Sequence, residues 1–170
     1  TITCPGIERA VHYEDAFGNV VHLVTPPGET DGLTIEASGV IETIDRAGVI
    51  GSTHETVPPA IFLRPTAKTI ESPAIAAFAL QCRRATRLDT LHALLSSIHE
   101  TVTYDTDATH ALTTAAEAFR AKRGVCQDHA HIFIAAARVL SIPARYVTGY
   151  LLIDGEISAV AHHAWAEAYT

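Results

Sequence analysis

The sequence predicts an α+β fold: a β-rich N-terminal portion followed by a helical core that ends in strands. Three observations carry this. In the N-terminal third, β-branched residues alternate with polar ones between turn residues. From Ser72 onward, apolar residues recur at helical spacing behind N-cap residues. Near the end, an apolar helix opened by a cysteine is followed by aromatic and β-branched runs.

In order along the chain, "RAVHY" (9–13) and "NVVHLVT" (19–25) read as strands, and "DAFGN" between them supplies a tight turn. "TPPGETDG" (25–32) is a loop by its Pro and Gly content. "LTIEASGVIETI" (33–44) continues the strand pattern, with Gly39 as a bend or bulge. These strands are predicted to form part of a small antiparallel sandwich. The Pro-bearing stretch 53–73 marks the boundary, dividing the chain into a β-rich region (1–60) and a core (61–170). "SPAIAAFALQCRRA" starts a helix with Ser72 as N-cap and Pro73 in its first turn. Residues 87–102 place Leu88, Leu91, Leu94, Leu95 and Ile98 at helical spacing. "TTAAEAFRAKRG" (113–124) reads as a short helix, with Gly124 as the residue past its end.

A further helix runs from Cys126 to about Leu140 and stops before Pro143. Ala130, Phe133 and Ala137 share the face of Cys126, and Ile132, Ala135, Ala136 and Val139 cover much of the rest. A helix apolar nearly all round is buried inside its domain. "RYVTGYLLI" (145–153) is a strand, Asp154-Gly155 a hairpin turn, and "ISAVAHHAWAEAY" the returning strand.

The formal charge is −7, and the arginines are scattered without a basic stripe, so nucleic acid is not an expected partner. No apolar run reaches the length of a membrane span, and no membrane association is expected. Cys4, Cys82 and Cys126 are odd in number and far apart. That is not a disulfide framework, and it suggests a reducing, cytoplasmic location. The first residue is Thr1 rather than Met, so a longer parent protein is expected.

Cys126 stands out by position. The first turn of a helix has unpaired N–H groups and the positive end of the helix dipole, which favour a thiolate and can stabilise an oxyanion. Cys4 and Cys82 have no such setting and read as small core residues. A thiol nucleophile needs a histidine in reach. His129, at i+3, could lie near Cys126 on the helix, whereas His131 at i+5 lies on the opposite side; both read as core or interface histidines. In "HHAWAEAY", alternation puts His163, Trp165, Glu167 and Tyr169 on one face, and His162, Ala164, Ala166 and Ala168 on the other. Only one of the two adjacent histidines can face Cys126, and periodicity does not say which.

"GVCQDHAHIFIAAARVLSIPARYVTGYL" followed by "HHAWAEAY" resembles the transglutaminase-like superfamily, most closely its bacterial members described as cysteine proteases. The resemblance covers about residues 100–170, and "YEDAFGNVVHLV" resembles the β-rich region that precedes the core in those proteins. It implies a papain-like arrangement, a helix bearing Cys packed on an antiparallel sheet bearing His. It implies Cys126 as nucleophile and His163, before Ala164-Trp165, as base, with His162 as a neighbour. The family's third catalytic residue is an Asp on the next strand, about fifteen residues further on in the triad. It is therefore expected beyond Thr170.

Supporting roles are expected for Gln127 and Asp128 in the first helical turn, with Asp128 serving mainly the helix terminus. Arg145 is expected to pair with a carboxylate, and Trp165 to pack in the core beside the histidine. Tyr104, in "VTYDTDAT", is a candidate oxyanion donor. Cys126, His129, His131, His162 and His163 carry metal-ligand chemistry, but adjacent strand residues and i, i+2 helix residues diverge, so no metal and no cofactor is expected.

The implied function is thiol-dependent acyl transfer on amide bonds of a peptide or protein, most simply hydrolysis. A protein-glutamine transglutaminase and a non-catalytic module of the same fold are the alternatives.

Overall fold

The computed structural model describes residues 2–3, 11–25, 36–37, 40, 42, 44–51, 57–150 and 163–170. The chain divides into two compact units, Thr1–Pro58 and Pro59–Thr170.

Among the described residues the first unit contains four short strands: β1 (Ile2–Thr3), β2 (Val11–Glu14), β3 (Val20–Leu23) and β4 (Glu36–Ala37). β1 pairs antiparallel with β4, and β2 with β3. The turn between β2 and β3 is built by Asp15, whose Oδ1 accepts from the Phe17 and Asn19 N–H groups at 2.8 and 2.9 Å. Gly18 takes φ +80°, a conformation that favours glycine. The predicted hairpin is therefore present. The described residues of this unit form two two-stranded ladders. Much of the predicted loop 25–32 and strand 33–44, including Gly39, lies outside the described residues.

The second unit opens with a 3₁₀ turn at Pro59–Leu63. Next comes α1 (Pro73–Cys82), whose Ser72 hydroxyl accepts from the Ile75 N–H at 3.3 Å. α2 (Arg87–Thr101) is capped in the same way by Thr86, 3.0 Å from the Asp89 N–H. Leu91, Leu94 and Ile98 are buried as the spacing predicts, while Leu88 and Leu95 face outward. β5 (Thr103–Tyr104) leads to α3 (Ala115–Ala121), which starts with a reciprocal capping box between Thr114 and Glu117.

Here the structure corrects the sequence reading. α3 ends at Lys122, which takes the left-handed conformation at φ +54°. Gly124 is not the residue past the helix end; it belongs to β6 (Arg123–Gly124), which pairs in parallel with β5.

α4 (Cys126–Val139) is the centre of the unit and packs against α1, α2 and α3 on one side. Its other side carries the antiparallel pair β7 (Ala144–Gly149) and β8 (His163–Ala168). Ile132, Ile134 and Ala135 to Ala137 are almost fully buried, and the small alanines let neighbouring elements approach closely. Arg138, the charge that interrupts this apolar run, is held by three acceptors. Its Nε donates to Phe62 O at 2.7 Å, Nη1 to Thr69 Oγ1 at 2.6 Å and Nη2 to Ala144 O at 3.0 Å. Burial draws its pKa below the ordinary arginine value, and these bonds compensate the lost solvation. They also tie the C-terminal end of α4 to the start of β7. The predicted turn at Asp154-Gly155 lies outside the described residues. Among the described residues, no helix is long and apolar enough to cross a membrane.

Candidate active site

Cys126 is the first residue of α4 and is half-buried. The residue before it, Val125, has an extended backbone and no side chain able to cap the helix. Asp128 serves instead: its Oδ2 accepts from the Val125 N–H at 2.8 Å and from the Thr109 hydroxyl at 2.6 Å. Asp128 is fully buried, so the terminus role expected for it is present. The N–H groups of Cys126 and Gln127 stand at the open helix end, where no intrahelical acceptor exists. Gln127 is half-buried there.

The same carboxylate explains Gly124. A Cβ on Gly124 would stand 2.6 Å from Asp128 Cβ and 2.7 Å from its Oδ2. The glycine lets β6 pass against the helix start. Gly124→Ala is expected to destabilise the protein by roughly 1–3 kcal/mol through overpacking. A urea titration reads this, and an unchanged midpoint would refute the role given to Gly124.

The two nearby histidines of α4 are structural in their contacts. His129 places Nδ1 2.9 Å from Val125 O and Nε2 3.0 Å from Val102 O, bracing the first turn against the end of α2. His131 is buried, with its ring centroid 5.1 Å from that of Tyr146 on β7. Burial, and then the charge of Lys68, pull the His131 pKa below its usual value against an opposing effect from Asp128. Among the described residues, Asp128 Oδ1 and His131 Nδ1 are both buried without a hydrogen-bond partner.

The level of His163 follows from the packing. Ala144, at the start of β7, meets Arg138, and Tyr146 meets His131. Two residues along the strand thus match seven back along the helix, so β7 runs towards the N-terminus of α4. Gly149, the last residue of β7, pairs with His163. Three further strand residues cover about 10 Å and the five helix residues from 131 to 126 about 7.5 Å. His163 and Cys126 therefore lie at the same end of the helix–strand layer.

The two sheet faces differ. Ala144 and Ala164 are buried, and Ala166 and Ala168 pack on the core, so this face, with Tyr146, lies on α4. Arg145, Glu167 and Tyr169 occupy the other, where Phe62 stacks on Tyr169 at 5.5 Å and lies under Arg145 at 5.6 Å. The pleat sets half-buried His163 on the side of Trp165, with ring centroids 6.5 Å apart, at the point where the chain enters the strand. His162 lies outside the described residues.

The expectation for Trp165 is corrected. It is 38% exposed rather than a core residue, and it covers Gly149, where a Cβ would meet its ring at 3.0 Å. Arg145 pairs with Glu167 as expected, Nη2 to Oε2 at 2.7 Å. Tyr104 is exposed, its ring centroid 6.2 Å from that of His129 at the same end of α4. Among the described residues, no group of three or more His, Cys, Asp or Glu side chains is placed to hold a metal ion. Cys82 and Cys126 are free thiols, Cys82 buried; Cys4 lies outside the described residues. Thr109 and Lys68 escaped the sequence reading, since Thr109 bonds Asp128 and Lys68 acts on His131 by its charge from far along the chain, and neither has a local motif.

A cysteine opening a central helix, with an antiparallel strand pair bringing a histidine to the same end, defines the papain-like α+β class. The family model described as the transglutaminase-like superfamily matches residues 76–170. The chain belongs to that superfamily. It is 28% identical over 184 aligned residues to the uncharacterized protein ML0607 of Mycobacterium leprae, covering 95% of this chain and 63% of that protein. It is 37% identical over 89 residues to the uncharacterized protein Rv2569c of Mycobacterium tuberculosis, covering 49% of this chain and 28% of that one. A crystal structure named "Putative Cysteine Protease", from Cytophaga hutchinsonii, superposes with a TM-score of 0.64 at 21% identity, over 99% of this chain and 60% of that one. That likeness concerns the fold. The chain spans less than two thirds of these proteins.

Proposed function

We propose that the protein is a thiol-dependent amide hydrolase acting on peptides or proteins, with Cys126 as nucleophile and His163 as general base and acid. The reading rests on one observation above all: Cys126 occupies the open N-terminus of the buried helix α4, at the end where β8 delivers His163. In this reaction His163 takes the thiol proton as the Cys126 sulfur attacks the amide carbonyl. The oxyanion is met by the Cys126 N–H. The C–N bond breaks, and the amine leaves with a proton from His163. Water then attacks the thioester, His163 takes its proton, and the carboxylic acid departs as the thiol re-forms.

An amine in place of water would give transamidation by the same steps. Hydrolysis is favoured by the name carried by the Cytophaga hutchinsonii structure. The odd number and wide spacing of the three cysteines suit a reducing, cytoplasmic setting.

Iodoacetamide labelling followed by peptide mapping tests the nucleophile. At about pH 6.5, Cys126 in the folded protein is expected to react roughly tenfold or more faster than the same cysteine in denatured protein, as a nucleophile set beside helix-terminal N–H groups does. Equal rates would favour a non-catalytic module of the same fold.

A further inference from the structure

In the first unit, the hairpin β2–β3 brings two histidines together. His12 and His22 sit directly opposite each other in the ladder, with Val11 on Leu23 to one side and Tyr13 on Val21 to the other. Directly opposed residues of an antiparallel pair project from the same face, with Cβ atoms about 4.5–5.5 Å apart. The two imidazole rings stand with centroids 5.7 Å apart and planes inclined by 27°. His12 is exposed and His22 is half-buried.

Register makes this pair, and the turn fixes the register. Asp15 Oδ2 accepts from the Asn19 side-chain amide at 2.9 Å, and the Asp15 N–H donates to Asn19 O at 2.9 Å. A slip by one residue would send the two histidines to opposite faces. The rings are thus brought together before any ligand arrives, which lowers the ordering cost of binding.

Three features point to a cation as that ligand. Among the described residues neither imidazole has a hydrogen-bond partner, so ring nitrogens are open to ligation. Residues 11–23 carry Glu14 and Asp15 and no Lys or Arg, so the hairpin is negatively charged. The Glu14 carboxylate reaches towards the turn, where a Cβ on Gly18 would lie 3.9 Å from its Oε1, and so leaves the rings uncovered. The spacing also fits a shared ion. Zinc holds imidazole nitrogens at about 2.0–2.1 Å, which sets two ring centroids about 5.2 Å apart at a tetrahedral angle. A small side-chain rotation closes the observed 5.7 Å to that value.

We propose that His12 and His22 form a surface site for one borderline divalent transition-metal ion (zinc, copper or nickel), with the two imidazoles as protein ligands and water completing the shell. Imidazole suits these ions, whereas magnesium and calcium take oxygen ligands. The site uses none of the groups assigned to acyl transfer, so it stands or falls independently of that reading.

Zinc chloride is titrated into the 170-residue chain while the histidine imidazole resonances are followed by NMR. The chain is first treated with iodoacetamide, so that accessible thiols do not compete for the ion. His12→Gln and His22→Gln are measured alongside, with His92→Gln as a control at an exposed histidine of α2. The signals lost in the two hairpin variants assign the rings. Both rings are expected to shift together as the first equivalent is added, and magnesium chloride at the same concentration to leave them unmoved. Calorimetry should show binding weakened by more than about 100-fold in either hairpin variant, since losing even an outer partner of a ligand costs roughly 10- to 100-fold. His92→Gln should bind as the parent does. Rings unmoved by an equivalent of zinc, one ring moving without the other, or a hairpin variant with parent affinity would each overturn the proposal. The amide resonances of Val11 and Leu23 verify that the hairpin is formed, and should a variant disturb it, the parent titration still decides.

Discussion

Replacing Cys126 by alanine is expected to lower turnover of a peptide amide by at least about 10⁴-fold, because the covalent route is lost and only binding and oxyanion contacts remain. His163→Ala should fall to a similar level, since nucleophile and base act as one unit and their losses do not add. The double variant should be no slower than either single one. His162→Ala is the informative partner. Through the described part of β8 the pleat sends Ala164, Ala166 and Ala168 towards α4 and sets His163 beside Trp165. On the proposed reading His163 approaches the thiol from the start of the strand, where pairing with β7 ends at Gly149. Near-parent activity of His162→Ala supports this approach. Loss in His162→Ala with activity kept in His163→Ala would move the base to the preceding residue.

The second large effect concerns the group that orients the imidazole. A neutral histidine needs a partner on its other nitrogen to hold tautomer and direction. On the His163 face the acid nearest in sequence among the described residues is Glu167. It lies about 13 Å along the strand at ~3.3 Å per residue. Both its oxygens are engaged: Oε2 by Arg145 Nε at 2.7 Å, and Oε1 more weakly by Trp165 Nε1 at 3.5 Å. Glu167 holds the sheet and cannot also orient His163. The resemblance implies an Asp on a following strand, and the Mycobacterium leprae relative is longer than the region it shares with this chain. A longer gene product carrying that Asp is expected to exceed the 170-residue chain by on the order of 10⁴ in rate on the same peptide amide. Comparable rates, abolished in both by Cys126→Ala, would show that the triad closes within these residues.

Much of the second unit was legible because its signals are local. Ser72 and Thr86 announce helices by accepting bonds from N–H groups three residues on. The apolar girth of α4 announces burial, and the placing of Cys126 after Gly124-Val125 announces a helix start. The failures came where a distant residue decides. Gly124 looked like a helix terminator because glycine tolerates the left-handed conformation, yet Lys122 adopts it and Gly124 is small for the sake of Asp128. Trp165 looked like a core residue because its side chain is large and apolar. Its face of the sheet is covered by Phe62 only at the other end, so the ring remains partly in solvent.

By itself the sequence determined the α+β class, the order of the four helices and the closing strand pair, and the opening of α4 by Cys126; that Arg145 would meet a carboxylate was expected, but not which one. Periodicity and capping depend on neighbours a few residues apart, and the chain carries those neighbours with it. Only the tertiary structure decided which end of β8 meets which end of α4, that Asp128 reaches Thr109, that Tyr146 lies on His131, and on which side of the pleat His163 begins. Those are contacts between residues far apart in sequence. They are fixed by how close-packed alanine-rich surfaces fit together, and that fit is a property of the assembled layers rather than of any one segment.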